Sequence, residues 1–120
     1  MTPATVLIVE DDENIRDDLA QILSRKGYSI ATAAHGADAL AYLRASPPPC
    51  VVVLDLMMPV MDGWTLRLEM LKDLRLGAIP VVLVSGAGSL EKDARALGVV
   101  DFVSKPFRVS ELLAVIARHC

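Results

Sequence analysis

Apolar residues along the chain fall into short continuous runs separated by longer stretches with helical spacing. Thr5–Val9 (TVLIV) is apolar throughout and too short for a buried helix, so it reads as a strand. Asn14–Lys26 then repeats apolar residues at three and four, which puts Ile15, Leu19, Ile22 and Leu23 on one helical face, with Gly27 as a stop. Tyr28–Ala33 reads as a second, weaker strand and Ala37–Arg44 as a second helix with Leu40 and Leu43 inward. After the loop Pro47-Pro48-Pro49, Val51–Leu54 is a third strand and Trp64–Leu74 a third helix. Pro80–Val84 is a fourth strand, and Leu90–Leu97, closed by Gly98, a fourth helix. Asp101–Ser104 is a short fifth strand. Ser110 is placed to cap a fifth helix reaching His119, with Leu112, Leu113 and Ile116 on its buried side.

Strands that are apolar on both faces imply a parallel sheet covered by helices on both sides. The expected fold is α/β: a doubly wound, five-stranded parallel sheet in the flavodoxin-like order 2-1-3-4-5, with five helices. The 120 residues suit one domain spanning 1–120, and Met1 reads as a natural start. With 53% hydrophobic residues but only 4% aromatic, the core must be aliphatic. A formal net charge of -3 and no Lys/Arg cluster argue against a nucleic-acid surface, and no apolar run has the length to cross a membrane. The two cysteines, Cys50 and Cys120, show no metal spacing and read as a buried thiol and a loose one. Free thiols suit a reducing cytoplasm.

The chemistry lies at the strand ends. The first strand runs into Glu10-Asp11-Asp12, the third into Asp55, the fourth into Ser85 and the fifth into Lys105. A parallel sheet gathers these ends on one edge, where open α/β sheets bind ligands at the switch between strands 1 and 3. The second strand ends in Ala33-Ala34-His35 and is expected at the sheet edge, away from that crevice. Carboxylates of Glu10, Asp11 and Asp55 brought together would repel, and a hard divalent cation with oxygen ligands, Mg²⁺ before Ca²⁺, removes the conflict. Lys105 adds a compact positive charge, Ser85 a hydroxyl, and Gly86 an N–H and room for close backbone approach. Such a set would hold a phosphoryl group, with Asp55 as the nucleophile that forms an acyl phosphate. Simpler roles account for other polar residues: Asp12 as a helix cap, Asp62-Gly63 as a turn, and His35 and His119 as surface residues.

VLIVEDDENIRDDL, VVVLDLMMPVMDG, PVVLVSGAG and DFVSKPF together resemble response-regulator receiver domains across essentially the whole chain. The resemblance implies that Asp55 accepts a phosphoryl group from a phosphohistidine. It implies that Asp11, Asp55 and the backbone carbonyl of Met57 ligate Mg²⁺, with Glu10 acting through water. Ser85 and Lys105 would contact the phosphoryl oxygens, and the Lys105–Pro106 bond would be cis. Phe102 falls at an aromatic switch position whose ring turns inward as Ser85 moves. The implied partners are a sensor histidine kinase or phosphotransfer protein and a downstream protein met by the face of the fourth helix, fifth strand and fifth helix. Pairing of two copies on phosphorylation stays open, as does attachment to an output domain. The domain would be cytoplasmic and would catalyse its own phosphorylation and dephosphorylation without being an enzyme for another substrate. Glu10, Ser85 and Gly86 stand where the family more often has Asp, Thr and Ala, and Gly86 with Gly88 would loosen the loop before the fourth helix. A haloacid-dehalogenase-like phosphatase would need a second Asp in Asp55-Leu56-Met57, and a flavodoxin would need a Ser/Thr/Gly loop where Glu10–Glu13 lies. The remaining alternative is a phosphorylation-independent docking module on the same fold.

Overall fold

A computed structural model describes residues 4–56, 62–86 and 90–120. Five parallel strands, β1 (Thr5–Val9), β2 (Ser29–Ala33), β3 (Val51–Asp55), β4 (Val81–Ser85) and β5 (Asp101–Ser104), form one sheet in the order β2-β1-β3-β4-β5. This is the expected doubly wound order, with the switch point between β1 and β3. The register is regular, with Val9 opposite Leu54, Asp55 opposite Val84 and Ser85 opposite Ser104. β3 and β4 are buried at every position, which is why their sequences lack polar alternation.

Among the described residues six helices cover the sheet: α1 (Glu13–Arg25), α2 (Gly36–Ala45), α3 (Gly63–Leu71), α4 (Leu74–Gly77), α5 (Leu90–Leu97) and α6 (Val109–His119). The core has two halves. Val6, Ile8, Val53 and Val82 face α1 and α6, where Leu19, Leu23, Leu112 and Ile116 pack. Leu7, Val9, Leu54 and Leu83 face the other way, under Leu40, Leu66, Leu76 and Leu97 of α2, α3, α4 and α5. Alternate residues of each strand thus feed opposite layers. No helix among the described residues is long and apolar enough to cross a membrane.

The helix ends explain the boundaries. Asp12 caps α1 by accepting from the N–H groups of Asn14 and Ile15 at 2.9 and 3.1 Å. Gly27 and Gly98 adopt positive φ, 96° and 63°, at the exits of α1 and α5. Asp62 is more than a turn residue: it caps α3 through the Thr65 N–H at 2.8 Å.

Four local expectations change. The third helix is not continuous to Leu74: it ends at Leu71, and Asp73 re-caps a separate turn, α4, by accepting from Arg75 and Leu76. Ile15, expected inward, is 36% exposed on the first turn of α1. Ser110 does not cap α6: Arg108 holds that position without a side-chain bond. Cys50 and Cys120 are not free thiols. They are joined in a disulfide with a Cα–Cα distance of 5.3 Å, because the fold brings the residue before β3 beside the end of α6.

Candidate phosphoryl and metal site

Each candidate side chain is placed by the end of a strand. Asp55 closes β3 and Ser85 closes β4, both buried. Glu10 follows β1 and is held in the sheet by its N–H, which donates to the Ala33 carbonyl at 3.1 Å. Lys105 follows β5, and its N–H donates to the Ser85 carbonyl at 3.0 Å. Parallel pairing therefore brings four separated segments to one edge. Met57 and Gly88 lie outside the described residues.

Carboxylate oxygens of Glu10, Asp11 and Asp55 all lie within 4.8 Å of one another. Glu10 and Asp55 are only 4% and 6% exposed, so their charges are poorly hydrated, whereas Asp11 opens to solvent. Lys105 Nζ bridges the two buried acids, 2.9 Å from Glu10 Oε1 and 2.9 Å from Asp55 Oδ2. Behind them stand the apolar side chains of Ile8, Ile15, Leu19, Val84 and Phe107.

The titration of Glu10 follows from this setting. Burial is the main cause that pushes its carboxyl up to about 7, with hydrogen bonding to Asp55 adding to the rise and Lys105 opposing it. For Lys105, burial alone would lower the ammonium's value, but bonds to Asp55 and Glu10 outweigh it and the net shift is upward. A carboxyl raised in the folded state gives stability that is fully present below its ordinary value of 4.5 and is lost as pH rises through about 7. Metal-free protein is therefore expected to lose on the order of 1–3 kcal/mol from this group between roughly pH 4.5 and 7. Urea denaturation across that window should show the slope, and Glu10→Gln should flatten it. An unchanged slope would mean that Glu10 stays ionised throughout.

Phe102 lies on β5 opposite Leu83 and is 37% exposed, over a shallow hollow shared with Pro106, Glu111 and Val115 of the β5–α6 region. The Lys105–Pro106 peptide bond is cis. Among the described residues, a Cβ on Gly86 would meet Lys105 Cβ at an ordinary 3.8 Å. Among the described residues the glycine with the least room is Gly63, whose added Cβ would lie 2.7 Å from the Asp55 carbonyl oxygen.

Sequence reasoning missed Arg16, whose Nη1 donates to the Glu10 carbonyl at 3.0 Å and braces the turn that carries the acids. Its place one turn into the helix after an acidic loop was the available signal. Two further arginines hold the frame. Arg67 is buried on α3 and donates to the Leu97 and Gly98 carbonyls at the end of α5, at 3.0 and 3.1 Å. Arg75 donates to the Leu43 carbonyl at the end of α2 at 2.8 Å. Both neutralise helix carbonyls left without intrahelical partners.

The sequence profile of the family described as response regulator receiver domain matches residues 6–117. Response regulator MprA of Mycolicibacterium vanbaalenii is 38% identical over 116 residues, covering 93% of this chain and 48% of the relative. A putative NtrX-like response regulator of Rickettsia bellii is 36% identical over 124 aligned positions, covering 100% of this chain and 25% of the relative. The chain thus spans half or less of the length of these two relatives. Chemotaxis protein CheY4 of Vibrio cholerae superposes with a TM-score of 0.89 at 30% identity, covering 98% of this chain and 99% of that one. The response regulator TrrA of Thermotoga maritima, solved in complex with Mg²⁺ and beryllium fluoride, superposes at 0.86 with 26% identity and covers 98% and 99%.

Proposed function

The chain belongs to the response regulator receiver domain family of two-component systems, and from that premise we propose that residues 1–120 are one phosphorylation switch with Asp55 as acceptor. The observation that carries this reading is the convergence of Glu10, Asp11 and Asp55 within 4.8 Å at the sheet's switch point, with Lys105 between the two buried acids.

The donor set suits a hard cation: oxygen ligands only, one acid open to solvent, and no His or Cys among the grouped residues. Asp11 and Asp55, together with the Met57 carbonyl, would hold Mg²⁺, with Glu10 reaching it through water. The ion supplies positive charge against the oxygens of the transferring group.

The reaction otherwise rests on the chain's own groups. An Asp55 carboxylate oxygen attacks phosphorus, the P–N bond to the donor's imidazole breaks, and an acyl phosphate forms while the imidazole takes up a proton. Lys105 leaves Asp55 for the new phosphoryl oxygens, so its charge stays in place while the charge that it pairs with changes. The Ser85 hydroxyl turns to donate to the same group, and Phe102 fills the space that it leaves. The face formed by α5, β5 and α6 then changes shape, a population shift biased by one local charge. Water attack on the acyl phosphate would reverse it.

We assign the phosphodonor to a sensor histidine kinase or phosphotransfer protein and the output to a protein that docks on the α5–β5–α6 face, in the cytoplasm. A second copy of the chain is a further candidate for that face.

The test is intact mass after incubation with a small phosphodonor such as acetyl phosphate. One phosphoryl group is expected with Mg²⁺ and none with a chelator. An unchanged mass under both conditions would replace this reading with a docking module that works without phosphorylation.

A further inference from the structure

We propose that Cys50 and Cys120 are a redox modification site, a dithiol pair that closes and opens in exchange with small disulfides and dithiols and so staples the end of α6 to the start of β3. The inference goes beyond the phosphorylation reading and does not depend on chemistry at Asp55.

Three observations carry it. First, the two residues are the only cysteines in the chain, so no other thiol within it can compete for either partner. Their bridge spans a sequence separation of 70. Second, their environments differ as exchange requires. Cys120 is exposed at the end of α6, where a small disulfide can reach it. Cys50 is half-buried against the core layer under α1 and α6, and its N–H donates to the Thr5 carbonyl at 2.8 Å. Third, the bridge lies past the last buried apolar residue of α6, Ile116. The last turn of α6 is otherwise tied to β5 by Asp101, through Arg118 at 3.3 Å and His119 at 3.7 Å, with the Arg118 side chain 63% exposed. The Arg118 contact, with that side chain mostly in solvent, contributes little. Asp101 adjoins Phe102, so the staple acts on one flank of the face that would change shape, at the opposite end of β3 from Asp55.

The chemistry balances with a low-molecular-weight disulfide, for example oxidised glutathione. The Cys120 thiolate attacks one of its sulfurs, its S–S bond breaks, and the first glutathione thiolate leaves and is protonated. The Cys50 thiolate then attacks the Cys120 sulfur of the mixed disulfide and expels the second. The protein gives up two electrons and two protons, and the oxidant becomes two thiols. A dithiol reductant reverses the sequence. In a reducing cytoplasm a bridge of this kind reports a change in thiol poise rather than standing as a permanent strut.

The full chain equilibrated in glutathione buffers of graded poise, quenched with an alkylating agent and weighed intact, tests the site. The expected series runs from two alkyl groups per chain to none, the unalkylated form lighter than the dithiol by two hydrogens and monomeric. The bridged form should melt higher by roughly 10 °C, because closing a long loop restricts the unfolded chain. Amide exchange in the last turn of α6 should slow on oxidation. Cys120→Ser should keep the fold and show neither effect. Two alkyl groups at every poise would overturn the proposal. So would a bridge that resists the most reducing buffer, and so would stable glutathione adducts or linked dimers in place of the intramolecular bond.

Discussion

Asp55→Asn should take up no phosphoryl group at all while folding more stably than the parent. The first half follows from nucleophilicity. An uncharged amide keeps the size of the carboxylate but not its attacking power, so the mass gain seen with Mg²⁺ and a small phosphodonor should vanish completely. The second half follows from the resting electrostatics. Glu10 and Asp55 share one ammonium in a buried setting, and Asp55 is among the causes that raise the Glu10 carboxyl. Removing one negative charge leaves Lys105 paired with Glu10 alone, and the amide oxygen can still accept from Nζ. Losing one partner of a buried ion pair normally destabilises, but here the lost partner is one of two like charges. The melting temperature should therefore rise by a few degrees, on the order of 1 kcal/mol. A persistent adduct would place the acceptor elsewhere. A clear drop in melting temperature would mean that the Lys105–Asp55 attraction outweighs the repulsion between the acids.

Which parts were legible beforehand has a physical pattern. The strands were, because burial on both faces leaves an unbroken apolar run such as Val51–Leu54, and the layer order then follows from right-handed crossovers. So was the grouping of the candidate residues, because a parallel sheet converts sequence position after each strand into position on one edge, where Glu10, Asp55, Ser85 and Lys105 fall. Features that depend on distant partners were not legible. Arg67 has the composition of a surface residue, and only the carbonyls of Leu97 and Gly98, about thirty positions away, explain its burial. The same holds for Cys50 and Cys120, whose meeting depends on where α6 ends against the sheet. Leu74 extends the apolar spacing of α3 yet is 97% exposed, because Asp73 restarts the helix in a new direction. Periodicity detects a face but not a change of axis. The tight space at the start of α3 was not legible either: the demand there falls on Gly63, and only the fold brings the Asp55–Leu56 backbone against it.

That demand makes Gly63→Ala the second large effect. Gly63 opens α3, and its N–H donates to the Leu56 carbonyl at 3.1 Å, so the helix start is locked to the loop leaving β3. A methyl group there would stand 2.7 Å from the Asp55 carbonyl oxygen and 2.8 Å from Leu56 Cα. Both are backbone atoms and cannot rotate aside, so either the first turn of α3 or the Asp55–Leu56 peptide must move. The cost is one of space, and about 2–3 kcal/mol of stability is expected to go, read as a lower urea midpoint with an unchanged slope. The displaced peptide carries the acceptor, so phosphoryl uptake should also slow by ~10-fold or more, since misplacement by fractions of an ångström degrades attack geometry. Gly77→Ala is the control. Among the described residues its Cβ would come no nearer than 3.5 Å to an atom outside its own helix, the Met70 carbonyl oxygen, and an alanine in α4 should leave both stability and uptake near the parent values. If Gly63→Ala matched that control in both measurements, α3 would be free to slide along the sheet, and its first turn would have no part in holding Asp55.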